Sequence, residues 1–204
     1  MSARTLVLAS RSPARLALLR TAGLAPRVVV SGVAEDGVHG MDAVDAACAL
    51  AARKAAAVAD RVAGGDEPPP LVLGCDSVLA FAGEVRGKPA SPTEAVAWWR
   101  GYRGCEGVLV SGHAIIDVAT GRRASRPART VVRFGHPTDA EIDAYVATGE
   151  PLGVAGGFTL DGYCAPFVDG IDGDHGTVLG LSLPVLRTLL AELGVDITSL
   201  WVVP

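Results

Sequence analysis

Strands and helices alternate along this sequence, and clear signals mark where several of the helices begin. An apolar run at residues 5–9 is followed by Ser12 and Pro13, which are typical of the cap and first turn of a helix. The segments Ser91-Pro-Thr-Glu94 and Thr138-Asp-Ala-Glu141 are capping boxes that open further helices. Because two hairpins interrupt the alternation, the sequence predicts an α/β fold with a mixed rather than a purely parallel sheet.

The remaining elements follow from apolar periodicity and from Gly and Pro punctuation. The segment 153–180, rich in Gly and Asp, is expected to be loop with short strands. Strands are predicted at 5–9, 28–30, 71–79 continuing into a hairpin around Gly83, 108–118 and 129–134, and helices at 13–22, 43–62, 92–102, 138–148 and 183–193.

Composition excludes several classes of protein. A chain of 204 residues that is 50% hydrophobic can bury a core without disulfides or a structural metal, so residues 1–204 are expected to form a single domain or two closely packed lobes. The net charge is -4 and basic residues cluster only at 122–133, where a solvated hairpin face is expected, which argues against a nucleic-acid partner. No apolar run approaches a membrane span and no signal peptide is recognisable, so a cytoplasmic protein with no membrane partner is predicted.

The first predicted strand runs directly into a helix start that carries hydroxyl and guanidinium groups. Ser10, Ser12 and Arg15 lie around this helix N-terminus, where free backbone N–H groups and the helix dipole favour an anion. The segment lacks the spacing of a P-loop. Two interpretations are open: a phosphate site, or a simple Ser12 cap with solvated arginines.

Asp76 is the most unusual residue of the chain because it lies in an apolar strand. A carboxylate in such a place must be paired, bound to metal or shifted in pKa, which fits a catalytic group and a structural ion pair equally well. Lys54 and Lys88 are the only lysines. If they meet Asp76, Ser10 and Arg15, the resulting site suits a polyphosphate with a metal ion.

Several of these segments resemble motifs of the Maf nucleotide pyrophosphatases, older members of which were called septum formation inhibitors. The resemblance covers nearly all of the chain. Its residues are Leu8-Ala-Ser10-Arg-Ser12-Pro13-Ala-Arg15-Leu16, Ala51-Ala-Arg-Lys54-Ala55, Gly74-Cys-Asp76-Ser77, Gly87-Lys88-Pro89, Glu150-Pro151, Ala155-Gly156-Gly-Phe158-Thr-Leu-Asp161-Gly162 and Val178-Leu-Gly180-Leu181.

The resemblance implies a fold, a reaction and a set of site residues. The fold is an elongated mixed sheet flanked by helices, related to inosine triphosphate pyrophosphatases, with two lobes around a central cleft, usually in a homodimer. The reaction converts a nucleoside triphosphate and water to the monophosphate and pyrophosphate with a divalent cation, Mg²⁺ or Mn²⁺. Asp76 would activate water, and Glu35 would help it to hold the metal. The implied triphosphate-binding residues are Ser10, Ser12, Arg15, Lys54 and Lys88.

Departures from the family pattern concentrate where the base would be read. Ala14 replaces an Arg or a Trp, Ser77 replaces Thr, and Asp161 replaces the Gln of a pyrimidine-specific branch. A carboxylate can accept from the N1–H and N2–H groups of guanine and repels the O2 and O4 acceptors of uracil and thymine, which favours purine or modified purine substrates. Against this, Ala14 offers no ring on which a methylated base could stack.

Two functional hypotheses result. The first is a metal-dependent nucleoside triphosphate pyrophosphatase that clears modified or non-standard nucleotides. The second is a non-enzymatic nucleotide-binding regulator of cell division. Release of pyrophosphate would separate them.

Overall fold

The computed structural model describes residues 4–34, 38, 40–65 and 68–202 as an α/β protein. The strands are β1 (Leu6–Leu8), β2 (Arg27–Val28), β3 (Leu71–Phe81), β4 (Glu84–Arg86), β5 (Glu106–Asp117), β6 (Arg123–Phe134) and β7 (Val168–Gly173). The helices are α1 (Pro13–Thr21), α2 (Ala43–Val62), α3 (Pro92–Tyr102), α4 (Asp139–Ala147), α5 (His175–Val178) and α6 (Leu183–Glu192), with short 3₁₀ turns between and after them.

The strands form one seven-stranded mixed sheet, as the sequence predicts. Their order is β2-β1-β3-β5-β6-β7, and β4 pairs with β3 beside this path. β1 is parallel to β2 and β3, whereas β4 is antiparallel to β3 and β7 is antiparallel to β6. The chain divides into two compact units, and the three longest strands, β3, β5 and β6, contribute residues to both.

The first unit comprises residues 1–76, 111–128 and 180–204. Alternate residues of its strands face opposite sides of the sheet, as the pleat requires. One side packs Leu6, Leu8, Leu71 and Leu73 with the apolar face of α6. The other side packs alternating residues of β1 and β3 with the alanine-rich face of α2.

The second unit comprises residues 77–110 and 129–179. Its core is aromatic, and Trp99 and Tyr102 of α3 lie at its centre with ring centroids 5.8 Å apart. The indole of Trp99 donates to the carbonyl of Gly157 at 2.9 Å, and the hydroxyl of Tyr102 donates to the carbonyl of Gly156 at 3.0 Å. Burial raises the pKa of Tyr102 to about 12, so its hydroxyl stays protonated at neutral pH.

Most predicted helix starts are confirmed. Ser12 caps α1 by accepting from the backbone N–H of Arg15, and the Thr138 capping box is complete, with Glu141 accepting from the backbone of Thr138. The segment at Ser91 differs in one detail. Ser91 caps α3, but the Glu94 carboxylate accepts from the N–H of Ala90 instead of Ser91. Capping depends on residues within one turn, which is why sequence locates it well.

The arginines that follow β5 are not merely solvated, as the sequence analysis expected. The Arg122 guanidinium donates to the carbonyls of Glu192 at 2.6 Å and Leu193 at 3.2 Å, and so caps the C-terminus of α6. Arg126 pairs with the Glu192 carboxylate at 2.5 Å. This helix end therefore receives positive charge where the helix dipole is negative.

An ion pair joins Arg4, which precedes β1, to Asp117 at the end of β5. Arg4 contacts both carboxylate oxygens of Asp117 and also donates to the carbonyl of Pro69 at 3.1 Å. Burial alone would raise the pKa of Asp117, but hydrogen bonds from Arg4 and Thr120 and the charge of Arg4 lower it below its usual value. The pair ties the start of the chain to the β5–β6 connection.

Asp117→Asn is expected to lower the free energy of unfolding by about 2 kcal/mol at pH 7. The folded-state pKa lies below that of the unfolded chain, so the contribution is complete above roughly pH 5 and is lost as the pH falls through the folded value. Urea unfolding of both proteins between pH 7 and pH 3 measures this. A difference that does not shrink towards low pH would contradict the role of the Asp117 charge.

In the described part of the chain, the helices lack the combination of length and apolar character that crossing a membrane requires.

Candidate active site

The residues of the predicted anion site lie together at the start of α1, in the first unit. The Ser10 hydroxyl oxygen accepts from the backbone N–H of Ser12 at 3.2 Å and from Nη1 of Arg15 at 3.1 Å. Ser10 is buried, whereas Ser12 is half-buried. The turn therefore holds hydroxyls, a guanidinium and the N–H groups of the first helical turn in one place, which suits a phosphate.

The Arg15 guanidinium makes a second hydrogen bond, through Nε. Its Nε donates to the carbonyl of Gly180 at 2.8 Å. Gly180 has a φ of +97°, and a Cβ there would lie 2.8 Å from Nε of Arg15, so a side chain at this position would displace the guanidinium. The Gly180 carbonyl thus orients Arg15 towards Ser10.

Asp76 and Lys54 form a buried ion pair. Asp76 lies within β3 and Lys54 lies on α2, and they are 6% and 7% exposed. Nζ of Lys54 contacts Oδ1 of Asp76. Of the sequence alternatives for Asp76, pairing is therefore confirmed, and the charge of the partner compensates much of the cost of burial.

The pair forms because α2 lies very close to the sheet. A Cβ at Gly74 would lie 2.7 Å from the backbone nitrogen of Ala55, and a Cβ at Gly112 of β5 would lie 2.6 Å from that of Cys48. The two glycines let the helix backbone approach both strands. Asp76 is two residues beyond Gly74, so it faces the same side and meets Lys54.

The anion site and the ion pair are neighbours. β1 and β3 are parallel with Leu8 opposite Leu73, so the chain after β1 reaches Ser10 alongside the segment that contains Asp76. Burial raises the pKa of the intervening Cys75 thiol to about 11, while the charges of Arg15 and Lys54 lower it and that of Asp76 raises it. The charges of Arg15, Lys54 and Asp76 therefore all act on the Cys75 thiol, which stays protonated at neutral pH.

The assembled group can bind an anion and accept a proton. The group contains two cations, Arg15 and Lys54, and one carboxylate, Asp76, so positive charge predominates. An ammonium offers three N–H donors and a guanidinium offers five, and phosphate oxygens accept from both kinds of group. Asp76 is the carboxylate in this group that could take a proton from a nucleophile.

The oxygen ligands near this site can be compared with what a divalent cation requires. Within the described ranges, no cluster of three or more His, Cys, Asp and Glu side chains could form a protein cage for a metal ion. Mg²⁺ that accompanies a nucleotide needs only one or two carboxylates, because phosphates and waters supply the other oxygens. Asp76 fits that mode. Glu35, the second predicted metal ligand, lies outside the described residues.

The structure also describes the remaining predicted residues, each within its own unit. Ala14 lies in the first turn of α1 and is half-buried. Lys88, in the loop between β4 and α3, is exposed and belongs to the second unit, as do Ser77 and Asp161. Whether these three join the triphosphate or base site stays a prediction.

The sequence analysis missed two groups that accept hydrogen bonds in the first unit, the His113 ring and the Gly180 carbonyl. His113, to which it assigned no role, is fully buried and accepts at Nε2 from the N–H of Ser182, the cap of α6, at 2.8 Å. The Gly180 carbonyl, the partner of Arg15, was also missed. Both contacts join residues far apart in the chain, and the only signal in the sequence was Gly180 within the motif Val178-Leu-Gly180-Leu181.

In the second unit, Asp161 lies on a loop after the 3₁₀ turns. Its Oδ1 accepts from the Thr159 hydroxyl, a contact that the sequence did not indicate. The Glu150 carboxylate accepts from the N–H groups of Tyr163 at 2.9 Å and Cys164 at 3.4 Å. The Glu150-Pro151 motif therefore anchors the loop that carries Asp161.

Comparison with known proteins agrees with the resemblance. The sequence model of the family described as Maf-like protein matches residues 5–193. A nucleoside triphosphate pyrophosphatase of Streptomyces coelicolor is 60% identical over 200 residues, which are 97% of this chain and 95% of the relative. Proteins with the same name from Salinispora tropica and Cutibacterium acnes are 54% and 47% identical, over 96% of this chain and 87% and 93% of the relatives. The chain belongs to the Maf-like protein family.

Proposed function

We propose that this protein is a nucleoside triphosphate pyrophosphatase, which hydrolyses the α–β phosphoanhydride to give a nucleoside monophosphate and pyrophosphate. The observation that carries the proposal is the buried Lys54–Asp76 pair beside the Ser10 and Arg15 anion site. The names of the relatives support the enzyme over the non-enzymatic regulator of cell division.

In this proposal some site residues bind the phosphates and one residue accepts a proton. Ser10, Ser12, Arg15 and the N–H groups at the start of α1 bind phosphate oxygens and neutralise their charge. Lys54 holds Asp76 in place and adds positive charge. A water oxygen bonds to the α-phosphorus while its proton passes to Asp76, and the bond from that phosphorus to the bridging oxygen breaks as pyrophosphate leaves.

A divalent cation, Mg²⁺ or Mn²⁺, belongs to the proposal. Asp76 and Glu35 are the residues that would hold it. Such an ion supplies charge neutralisation to the phosphates and polarises them towards attack. Asp76 is buried and already compensated by Lys54, which keeps it available as an oxygen ligand or as a base.

The finer parts of the proposal concern substrate and context. Lys88 would add a further phosphate contact, while Ala14, Ser77 and Asp161 would set the preference among bases. We further propose a homodimer in the cytoplasm that removes modified or non-standard nucleotides.

Pyrophosphate release tests the central proposal. The purified protein is incubated with common and modified nucleoside triphosphates and Mg²⁺ or Mn²⁺, and the products are separated. Monophosphate and pyrophosphate in equal amounts are expected. Intact triphosphate with every base after long incubation would leave the regulator as the surviving hypothesis, and a diphosphate product would contradict the site of cleavage.

Lys88→Ala is expected to lower kcat/KM about tenfold to a hundredfold, because a phosphate contact made by a cation is lost. Lys88 is exposed, so the free energy of unfolding should hardly change. Steady-state kinetics and thermal unfolding measure the two effects. Arg126→Ala, which removes another exposed cation, is the matched control. Equal kinetics for both variants would argue against Lys88 as a phosphate contact.

A further inference from the structure

The segment 180–182, which lies directly before α6 in the first unit, holds Arg15 by its first carbonyl. Nε of Arg15 donates to the carbonyl of Gly180 at 2.8 Å, and Nη1 of the same guanidinium donates to the Ser10 hydroxyl at 3.1 Å. Since a guanidinium is a rigid planar fork, a shift of the Gly180 carbonyl would also move the nitrogen that reaches Ser10. The direction of Arg15 therefore depends on what holds the segment 180–182.

Neither Gly180 nor its neighbour Leu181 fixes the direction of this carbonyl. Gly180 has a φ of +97°, a value that glycine adopts without strain, but the same freedom leaves its peptide groups easy to rotate. Leu181 is fully buried in the apolar core that contains α6. Apolar burial is non-directional, so it holds the segment in the core without orienting a carbonyl. A directional contact has to come from elsewhere.

His113 supplies a directional contact to this segment. It lies on β5, which runs between β3 and β6 in the sheet, and its Nε2 accepts from the backbone N–H of Ser182 at 2.8 Å. His113 and Ser182 are 0% and 2% exposed, so solvent water does not take over this bond. A ring nitrogen that accepts carries no proton, which places the proton of the neutral ring on Nδ1. The sheet thus holds the backbone two residues from the carbonyl that contacts Arg15.

We propose that His113 is a positioning residue, which holds Arg15 in its phosphate-binding direction through the backbone of the segment 180–182. The inference rests on the proposed function. The imidazole fixes the N–H of Ser182 and so limits rotation of the peptide groups before it. The Gly180 carbonyl then keeps Nε of Arg15 in place. Because His113 is buried, it acts through Arg15 rather than on the substrate itself.

His113→Leu tests the inference, because leucine fills much of the space of the ring and cannot accept a hydrogen bond. With a triphosphate that the unaltered protein hydrolyses, we expect kcat/KM to fall about tenfold, mainly through a rise in KM, since Arg15 is proposed to bind phosphate before and during the reaction. His113→Gln should stay within about threefold of the unaltered protein, because its amide oxygen can reach the position of Nε2. His113→Asn is one methylene shorter, so it should lose activity as His113→Leu does.

The pair His113→Gln and His113→Asn also decides the case in which His113→Leu fails to fold, since both place an amide in the same interior site and differ in reach. Ser125→Ala is the matched control. The Ser125 hydroxyl donates to the backbone carbonyl of His113 at 2.9 Å, so its removal disturbs the same residue and leaves the ring bond to Ser182. Its kinetics should change less than about twofold. Equal kinetics in His113→Gln and His113→Asn, or an equal loss in Ser125→Ala, would overturn the inference.

A double-variant cycle tests whether the effect passes through Arg15. Arg15→Lys keeps the charge but lacks the fork that contacts Gly180 and Ser10 at once. In that background, His113→Asn should lower kcat/KM by less than about twofold. A further loss of about tenfold would mean that His113 acts by another route, and would contradict the proposal.

Binding of inorganic tripolyphosphate, measured by calorimetry, separates this inference from the proposed function because it needs no turnover. The affinity should fall about tenfold in His113→Asn and be kept in His113→Gln. Unchanged affinity and kinetics in both variants would overturn the positioning role and leave the pyrophosphatase intact. If the unaltered protein hydrolyses no triphosphate but binds tripolyphosphate in a way that depends on His113, the proposed function alone is overturned. Absence of both hydrolysis and binding would overturn both.

Discussion

Asp76→Asn is expected to lower kcat by about a thousandfold while the protein stays folded and still binds triphosphate. Asparagine has nearly the same shape as aspartate but cannot take a proton from water at neutral pH. Of the proposed phosphate-binding residues, Arg15 donates to the Ser10 hydroxyl and to the Gly180 carbonyl, and the substitution leaves these two contacts in place. Single-turnover kinetics and nucleotide binding by calorimetry measure the two properties separately.

Asp117→Asn is the matched control for this prediction. Asp117 is also a buried aspartate of the first unit with a cationic partner, Arg4, but it is not part of the candidate site. Asp117→Asn should lose stability and keep kcat, whereas Asp76→Asn, which also loses stability because Lys54 is left without its carboxylate partner, should lose kcat as well. Near-normal turnover in Asp76→Asn would remove Asp76 from the mechanism.

Lys54→Met is expected to lower both stability and kcat/KM. Methionine fills the space of the lysine chain but leaves the Asp76 carboxylate buried without its charged partner. Removing one member of a buried pair costs about 3 kcal/mol of unfolding free energy, and loss of the proposed phosphate contact of Lys54 should lower kcat/KM by at least about a hundredfold. Urea unfolding and steady-state kinetics measure the two effects.

A second substitution distinguishes the charge effect from a packing effect. Asp76→Asn added to Lys54→Met removes the uncompensated charge, so it should recover a large part of the lost stability without recovering activity. Arg126→Met breaks the exposed pair with Glu192 and should cost less than about 1 kcal/mol. If the double variant is as unstable as Lys54→Met, packing rather than charge accounts for the loss.

The parts of the fold that depend on neighbouring residues were predictable from the sequence. The helix starts at Ser12 and Thr138 and the bounds of α2 agree with the structure because caps and apolar periodicity act within a few residues. The sequence also marked Asp76, because a carboxylate in an apolar strand is rare. It could not choose between a paired, a metal-bound and a pKa-shifted carboxylate, since Lys54 is brought there by the packing of α2.

What escaped prediction depends on distant contacts. β6 begins at Arg123 rather than Arg129. Its polar first half has no apolar pattern of its own and is a strand because it lies beside β5 in the sheet. The contact of Arg15 with Gly180 spans nearly the whole chain. Arg122 was expected in solvent because nothing near it in sequence reveals that the end of α6 lies within reach.

The contact of α2 with Gly74 and Gly112 has a consequence for how the protein tolerates change. These glycines set the depth at which the helix rests on β3 and β5, and hence how far Lys54 projects. At both positions a Cβ would meet backbone atoms of α2, which cannot move aside by changing a rotamer. Even a single methyl group at either glycine would therefore displace the helix as a whole. We therefore expect alanine at Gly74 or Gly112 to abolish turnover, while the exposed face of α2 tolerates substitution.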